Sequence, residues 1–102
     1  MAEITKDISR EFERGLMVKV LVGWGLEWMP FHELRVQMMT RLGHSVSEDD
    51  IKFHLNYLGQ AGYAESKTLR AGRVDFELAV VRATPKAVDL VEGRAADQGI
   101  AL

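Results

Sequence analysis

The first part of the chain carries apolar residues at the spacing of an α-helix. Four of them recur at intervals of four, on one helix face: Ile4, Ile8, Phe12 and Leu16. From Leu16 to Val22 the chain is apolar on nearly every side, which is typical of a helix end buried against several neighbours. We therefore predict a helix from Ile4 to Val22. The alternative is a strand through the β-branched residues Val18, Val20 and Val22.

Two shorter helices follow, and each has a recognisable start and end. The second begins at Pro30, where a missing N–H does no harm, and ends at Gly43. Its apolar stripe is Phe31, Leu34, Met38 and Leu42. The third runs from Glu48 to Ala61 and stops at Gly62. Ser47 is placed to cap it, and acidic residues fill its first turn. Its buried stripe is Ile51, Leu55 and Leu58.

Beyond Tyr63 the helical repeat gives way to alternation. Apolar residues occupy every second position, as expected for a half-buried strand: Val74, Phe76, Leu78 and Val80. An earlier strand near Ala64–Leu69 and a turn at Ala71–Arg73 complete a predicted β-hairpin.

A short fourth helix closes the predicted fold. Thr84 and Pro85 provide its start, and Gly93 follows its end at Glu92. The residues after Gly93 are mostly polar or small up to Ile100, and we expect residues 94–102 to form a tail that is loose or recruited by a partner. We interpret residues 1–93 as a single domain and the glycines as breaks between elements.

The order of these elements is α-α-α-β-β-α, a mainly α fold with a small β-hairpin. This is the order of a winged helix-turn-helix, in which the hairpin forms the wing. The segment Leu42–Ser47 and the closing Gly93-Arg94-Ala95 resemble the small winged-helix proteins of Mu-like phages and prophages. The chain is also similar in fold to ArsR-like and MarR-like regulators. The resemblance implies a phage or prophage origin and a helix-turn-helix protein of undefined biochemical role.

Composition and charge narrow the functions to consider. Thirteen Lys and Arg residues against fifteen Asp and Glu residues leave a net charge of −2, the wrong sign for most nucleic-acid binders. The chain has no cysteine, and its histidines are too scattered to predict a metal site: His32, His44 and His54. We read His54 as a residue on a helix flank. We expect no enzyme activity, no metal and no cofactor. No apolar run is long enough for a membrane span, so we expect a cytoplasmic protein of a bacterial host.

If the third helix reads DNA, the face opposite its buried stripe enters the major groove. Its candidate contacts are Lys52, Asn56 and Gln60. Asn and Gln can bond adenine, whereas the acids of the first turn would repel phosphates even though they stabilise the helix start. The hairpin adds Lys67, Arg70 and Arg73, although nearby acids leave it little net charge. The structural alternative for these three is a solvated turn that protects an edge strand from aggregation.

Phe53 and Tyr57 lie one turn apart and off the buried stripe of the third helix. An exposed aromatic pair is typical of a protein interface, whereas packing under the first helix or the hairpin would give it a structural role. Two functions therefore stay open. One is a transcriptional regulator or accessory factor that binds double-stranded DNA weakly or as a homodimer. The other is a winged helix that serves as a protein–protein module, for example in phage assembly, with Phe53 and Tyr57 as its surface.

Overall fold

The structure is a computed structural model that describes residues 2–71 and 76–102. Its elements in chain order are α1 (Ala2–Gly23), β1 (Met29–Pro30), α2 (Phe31–Leu42), α3 (Glu48–Gln60), β2 (Ala64–Ala71), β3 (Phe76–Ala83) and α4 (Pro85–Val91). This is the predicted winged helix-turn-helix order, with one short strand added between α1 and α2. Among the described residues, no helix has the length and apolar character needed to cross a membrane.

The end of α2 and the start of α3 are confirmed, whereas Pro30 lies in β1 and α2 begins one residue later than predicted, at Phe31. The backbone N–H of Asp50 donates to Ser47 Oγ at 3.1 Å, so Ser47 caps α3. Gly43 has a φ of 75°, the left-handed conformation that ends α2. α1 continues as a helix to Gly23, so the strand alternative is wrong. Its apolar end lies in the core, with Met17, Val18, Val20 and Leu21 buried.

The strands form one antiparallel sheet in the order β1-β3-β2. β1 is only two residues long, too short to leave an alternating pattern in the sequence, and Met29 pairs with Val81. In the hairpin of β2 and β3, Ala64 pairs with Ala83 and Arg70 with Glu77. We call this unit the hairpin below.

The alternation predicted for the second hairpin strand is confirmed from Glu77 to Val80, since Leu78 and Val80 are less exposed than Glu77 and Ala79, although they do not face the helices. Val81 and Ala83 belong to the cluster of buried residues between helices and sheet, so the alternate residues, which include Leu78 and Val80, face away from the helices. Val80 is nevertheless buried, because the other face of the strand is covered too. Alternation cannot say which face meets the core when both faces are covered. Val74 lies outside the described residues.

The predicted apolar stripe of α1 is also wrong at Phe12, which is 57% exposed. At about 100° per residue, the core side of α1 continues from Met17 to Arg14, Glu13 and Arg10 rather than to Phe12. These three polar residues contact side chains of α3. The sequence did not indicate this face because its inward positions are polar and find their contacts on another helix.

The segment after Gly93, expected to be a loose tail, packs along α1. Ile100 is buried in the core, and the N–H of Ala101 donates to the carbonyl of Glu11 at 3.0 Å. A Cβ at Gly15 would overlap the Ala101 carbonyl oxygen, so this glycine permits a close backbone approach inside a helix. The interpretation of every glycine as a break between elements is therefore wrong.

Candidate nucleic-acid interface

The exposed face of α3 borders a groove that separates this helix from the hairpin. The groove has a volume of about 860 Å³, and we call it the α3–hairpin groove. Its helix wall carries Glu48, Lys52, Asn56 and Gln60, and its hairpin wall carries Ser66, Lys67 and Thr68. Apolar groups form the rest of the lining, including Phe31, Leu55, Ala64 and Val81. The structure thus brings the three predicted α3 residues to one surface.

This wall offers hydrogen-bonding groups to a ligand. Lys52, Asn56 and Gln60 are all exposed, and among the described residues Lys52 has no carboxylate within ion-pair distance. The two side-chain amides each present a donor and an acceptor, the combination that matches an adenine edge. An ammonium group beside them suits a phosphate.

The first turn of α3 is the least suitable part of this face for a nucleic acid. Glu48, Asp49 and Asp50 are all exposed there, and Glu48 also lines the groove. Their carboxylates stabilise the start of the helix but repel phosphates. The cation and both amides lie further along, which makes the middle and end of α3 the suitable part.

The predicted hairpin cations are placed less favourably. Alternation along β2 directs Ser66 and Thr68 toward α3 and Lys67 to the other face, where its Nζ lies 4.1 Å from the centre of the Trp28 ring. Arg70 pairs with Glu77 at 3.2 Å near the end of the hairpin. Arg73 lies outside the described residues. Lys67 therefore borders the groove mainly through its backbone, and Arg70 lies outside it.

Trp28 is part of a cluster of charged side chains on that outer face. The Arg82 guanidinium lies 4.3 Å from its ring centre and pairs with Glu65 at 2.8 Å. The Trp28 ring is half-buried and contacts side chains of the sheet surface. Glu65 neutralises Arg82, whereas Lys67 keeps its charge beside the Trp28 ring.

The two aromatic residues of α3 have different surroundings. Tyr57 donates a hydrogen bond to Asp97 at 2.7 Å, and the Arg14 guanidinium lies 4.1 Å from its ring centre. Tyr57 is thus held between α1 and the C-terminal segment, the structural role that the sequence left open. Phe53 is 48% exposed, with Arg10 and Arg14 over its ring at 5.0 and 5.6 Å.

Asp97 connects the C-terminal segment to α3 and the sheet. Its carboxylate accepts hydrogen bonds from Tyr57, from Tyr63 at 3.1 Å and from the N–H of Gly99 at 2.8 Å. Burial opposes the charge, but these hydrogen bonds outweigh it and lower the pKa of Asp97. The hydrogen bond to the carboxylate raises the pKa of Tyr57, and burial raises that of Tyr63. Sequence reasoning missed this network because it joins residues far apart in the chain.

His54 is buried rather than placed on a helix flank, so that expectation is wrong. The residue is 2% exposed, and its Nε2 lies 2.9 Å from Glu13 Oε2. The contact ties α3 to α1 beneath the exposed face. Among the described residues, no group of three or more His, Cys, Asp or Glu side chains is arranged to hold a metal ion.

Comparison with solved structures finds a similar fold in the crystal structure of a protein from Thermoplasma acidophilum that is described as a candidate transcriptional regulator. The TM-score is 0.64 at 18% sequence identity, over 81% of this chain and 74% of that chain. At this identity the likeness concerns the fold alone, and it agrees with the winged-helix order of elements. No protein-family model and no curated protein matches the chain.

Proposed function

We propose that this protein is a winged-helix regulator or accessory factor that binds double-stranded DNA through the middle and end of α3. The observation that carries the proposal is the joint exposure of Lys52, Asn56 and Gln60 along one wall of the α3–hairpin groove. The fold shared with a candidate transcriptional regulator supports it as an analogy. A phage or prophage origin is part of the proposal and rests on the sequence resemblance.

In this mechanism each wall of the groove has a distinct task. Asn56 and Gln60 bond base edges in the major groove, and Lys52 contacts a backbone phosphate. The hairpin follows the neighbouring backbone, with Lys67, Arg70 and Arg73 as its candidate contacts. Because one chain supplies only a few cations to the DNA backbone, one chain binds weakly, and a homodimer would double the number of contacts.

The first experiment measures duplex binding by fluorescence anisotropy over a range of salt concentrations. Wild type should lose affinity as salt rises, and Lys52→Ala should make the slope of log affinity against log salt shallower by about 1, because one phosphate contact is lost. Asn56→Ala should keep the slope and reduce discrimination between duplex sequences obtained by selection from a random library. Lys19→Ala, which removes an exposed cation from α1, is the matched control and should change neither quantity.

A second variant tests whether the carboxylate of Glu48 in the groove wall weakens DNA binding. Glu48→Gln removes a carboxylate from the groove wall while keeping the shape of the side chain. We expect affinity for duplex DNA to rise several-fold at low salt and the gain to shrink as salt screens the charge. Glu92→Gln, which removes an exposed carboxylate after α4, should give no comparable gain.

Absence of duplex binding by wild type at low salt would contradict the proposal and leave the protein–protein module as the function to test. The structure favours that second function less, because Tyr57 is already engaged by Asp97 and Arg14. Phe53 alone of the aromatic pair is substantially exposed.

A further inference from the structure

Two arginines of α1 lie beside the exposed face of α3, on the side away from the α3–hairpin groove. The guanidinium carbons of Arg10 and Arg14 are 5.0 and 5.6 Å from the centre of the Phe53 ring, and that of Arg14 is 4.1 Å from the centre of the Tyr57 ring. Neither arginine stood out in the sequence, because α1 is rich in charges of both signs. Only the packing of α1 against α3 brings them to this surface.

The helical repeat places these arginines and Lys52 on opposite flanks of one face. With Asn56 at the centre of the exposed face, Lys52 is rotated by about 40° to one side and Phe53 by about 60° to the other. Lys52 faces the groove, whereas Phe53 carries the two guanidinium groups. The face that holds the base-reading amide therefore has positive charge on both sides.

Within the part of the structure that describes side chains, which leaves out those of residues 1–8 and 71–76, no ion pair cancels the charge of these arginines. Among the described residues, neither Arg10 nor Arg14 has a carboxylate within ion-pair distance, and the neighbouring Glu13 is engaged by His54. Arg14 donates to the carbonyl of Gly99 at 3.1 Å, and its buried Nε has no partner among the described residues. An aromatic face holds a guanidinium in place without neutralising it, so its edge stays able to bind a phosphate.

An α-helix with its side chains is about 10–12 Å across, close to the width of the major groove of about 12 Å. A helix in that groove has a phosphate backbone on each side. We propose that Arg10, held by Phe53 and backed by Arg14, binds phosphates of the DNA strand opposite to the one that Lys52 contacts. This inference rests on the proposed function and adds a second line of backbone contacts to it. Phe53 then supports a cation and does not form a protein interface.

The test uses the full chain and a duplex selected for binding. Arg10→Ala should make the salt slope shallower by about 1, and Lys52→Ala combined with Arg10→Ala should reduce it by about 2, because the two residues contact separate phosphates. Lys19→Ala on the same helix is the control for general charge. Phe53→Leu should weaken binding. It should also reduce the effect of Arg10→Ala on the salt slope, since the aromatic ring that holds the arginine is gone. Circular dichroism confirms that each variant is folded.

A single strand of the same sequence provides a further comparison, because it lacks a second backbone across a groove. Arg10→Ala should weaken duplex binding much more than single-strand binding. The inference is overturned if wild type binds the duplex but Arg10→Ala behaves like Lys19→Ala, or if Arg10→Ala affects duplex and single strand equally. If wild type does not bind the duplex at all, the proposed function itself fails, which is a distinguishable result.

Discussion

Gly15→Ala is expected to lower the free energy of unfolding by about 1–4 kcal/mol, although alanine is the better helix former. A Cβ at this position would overlap the carbonyl oxygen of Ala101, so the C-terminal segment must move away from α1. That movement exposes Ile100, whose burial stabilises the fold by about 1.5–3 kcal/mol. It also breaks the hydrogen bond from Ala101 to Glu11, at about 0.5–1.5 kcal/mol. The gain in helix propensity, about 0.5–1 kcal/mol, offsets only part of this loss.

Urea denaturation of matched variants measures this effect. Gly23→Ala is the control, because a Cβ there would meet no atom within 4 Å at the end of the same helix. It should be neutral or slightly stabilising. Ile100→Ala combined with Gly15→Ala should destabilise by much less than the sum of the single effects, since both act on one contact. A neutral Gly15→Ala would show that the C-terminal segment is not held against α1.

Asp97→Asn should lower the free energy of unfolding by about 1–3 kcal/mol at neutral pH. The carboxylate accepts hydrogen bonds from two phenols and from a backbone N–H, whereas an amide offers one oxygen and turns its NH2 toward the remaining donors. Asp89→Asn is the matched control, because Asp89 pairs with Arg94 at the exposed surface. The control should change stability little.

The loss of stability caused by Asp97→Asn should depend on pH. The folded pKa of Asp97 is lowered below 3.8, so its stabilisation is present above about pH 4 and is lost as pH falls through the folded pKa. Wild type and Asp97→Asn should therefore differ most near neutral pH and converge in acid. A difference that stays constant below pH 4 would assign the effect to shape and not to the charge of the carboxylate.

Titration of Tyr57 and Tyr63 at alkaline pH tests the same hydrogen-bond network independently. The pKa values of Tyr57 and Tyr63 are raised above 10.0, so the stabilisation linked to the neutral phenols is present below that pH and is lost as pH rises through the folded values. The hydrogen bond to Asp97 is the main cause at Tyr57, whereas burial is the main cause at Tyr63. Phenolate absorbance in Asp97→Asn should therefore show the larger fall in pKa at Tyr57. Tyr57→Phe and Tyr63→Phe backgrounds assign the two titrations.

The elements with strong local signals could be predicted from the sequence. The third helix begins after Ser47 because that side chain caps it, and Gly43 ends α2 in a left-handed conformation. The exposed residues of α3 were also predictable. Ile51, Leu55 and Leu58 define its buried stripe, which places Asn56 on the opposite side. These inferences depend on interactions within a few residues, which the sequence displays directly.

The sequence did not identify which side of an element faces the core where both of its sides are covered or where its inward positions are polar. The alternation of β3 identified Leu78 and Val80 as less exposed than their neighbours but did not identify the face that meets the helices, because Val80 and Val81 are both buried, on opposite faces. The core side of α1 was assigned to Phe12, because its true inward positions near α3 are polar. The two-residue strand β1 exists only through its pairing with β3 and left no local pattern.

The sequence by itself determined the order of helices and strands and the amide face of α3, because caps, breaks and helical spacing act over a few residues. Tertiary structure alone decided that Arg10 and Arg14 flank this face, that His54 is buried against Glu13 and that residues after Gly93 pack on α1. These contacts join residues distant in the chain. Their free energy depends on which surfaces meet after folding, and local spacing does not contain that information.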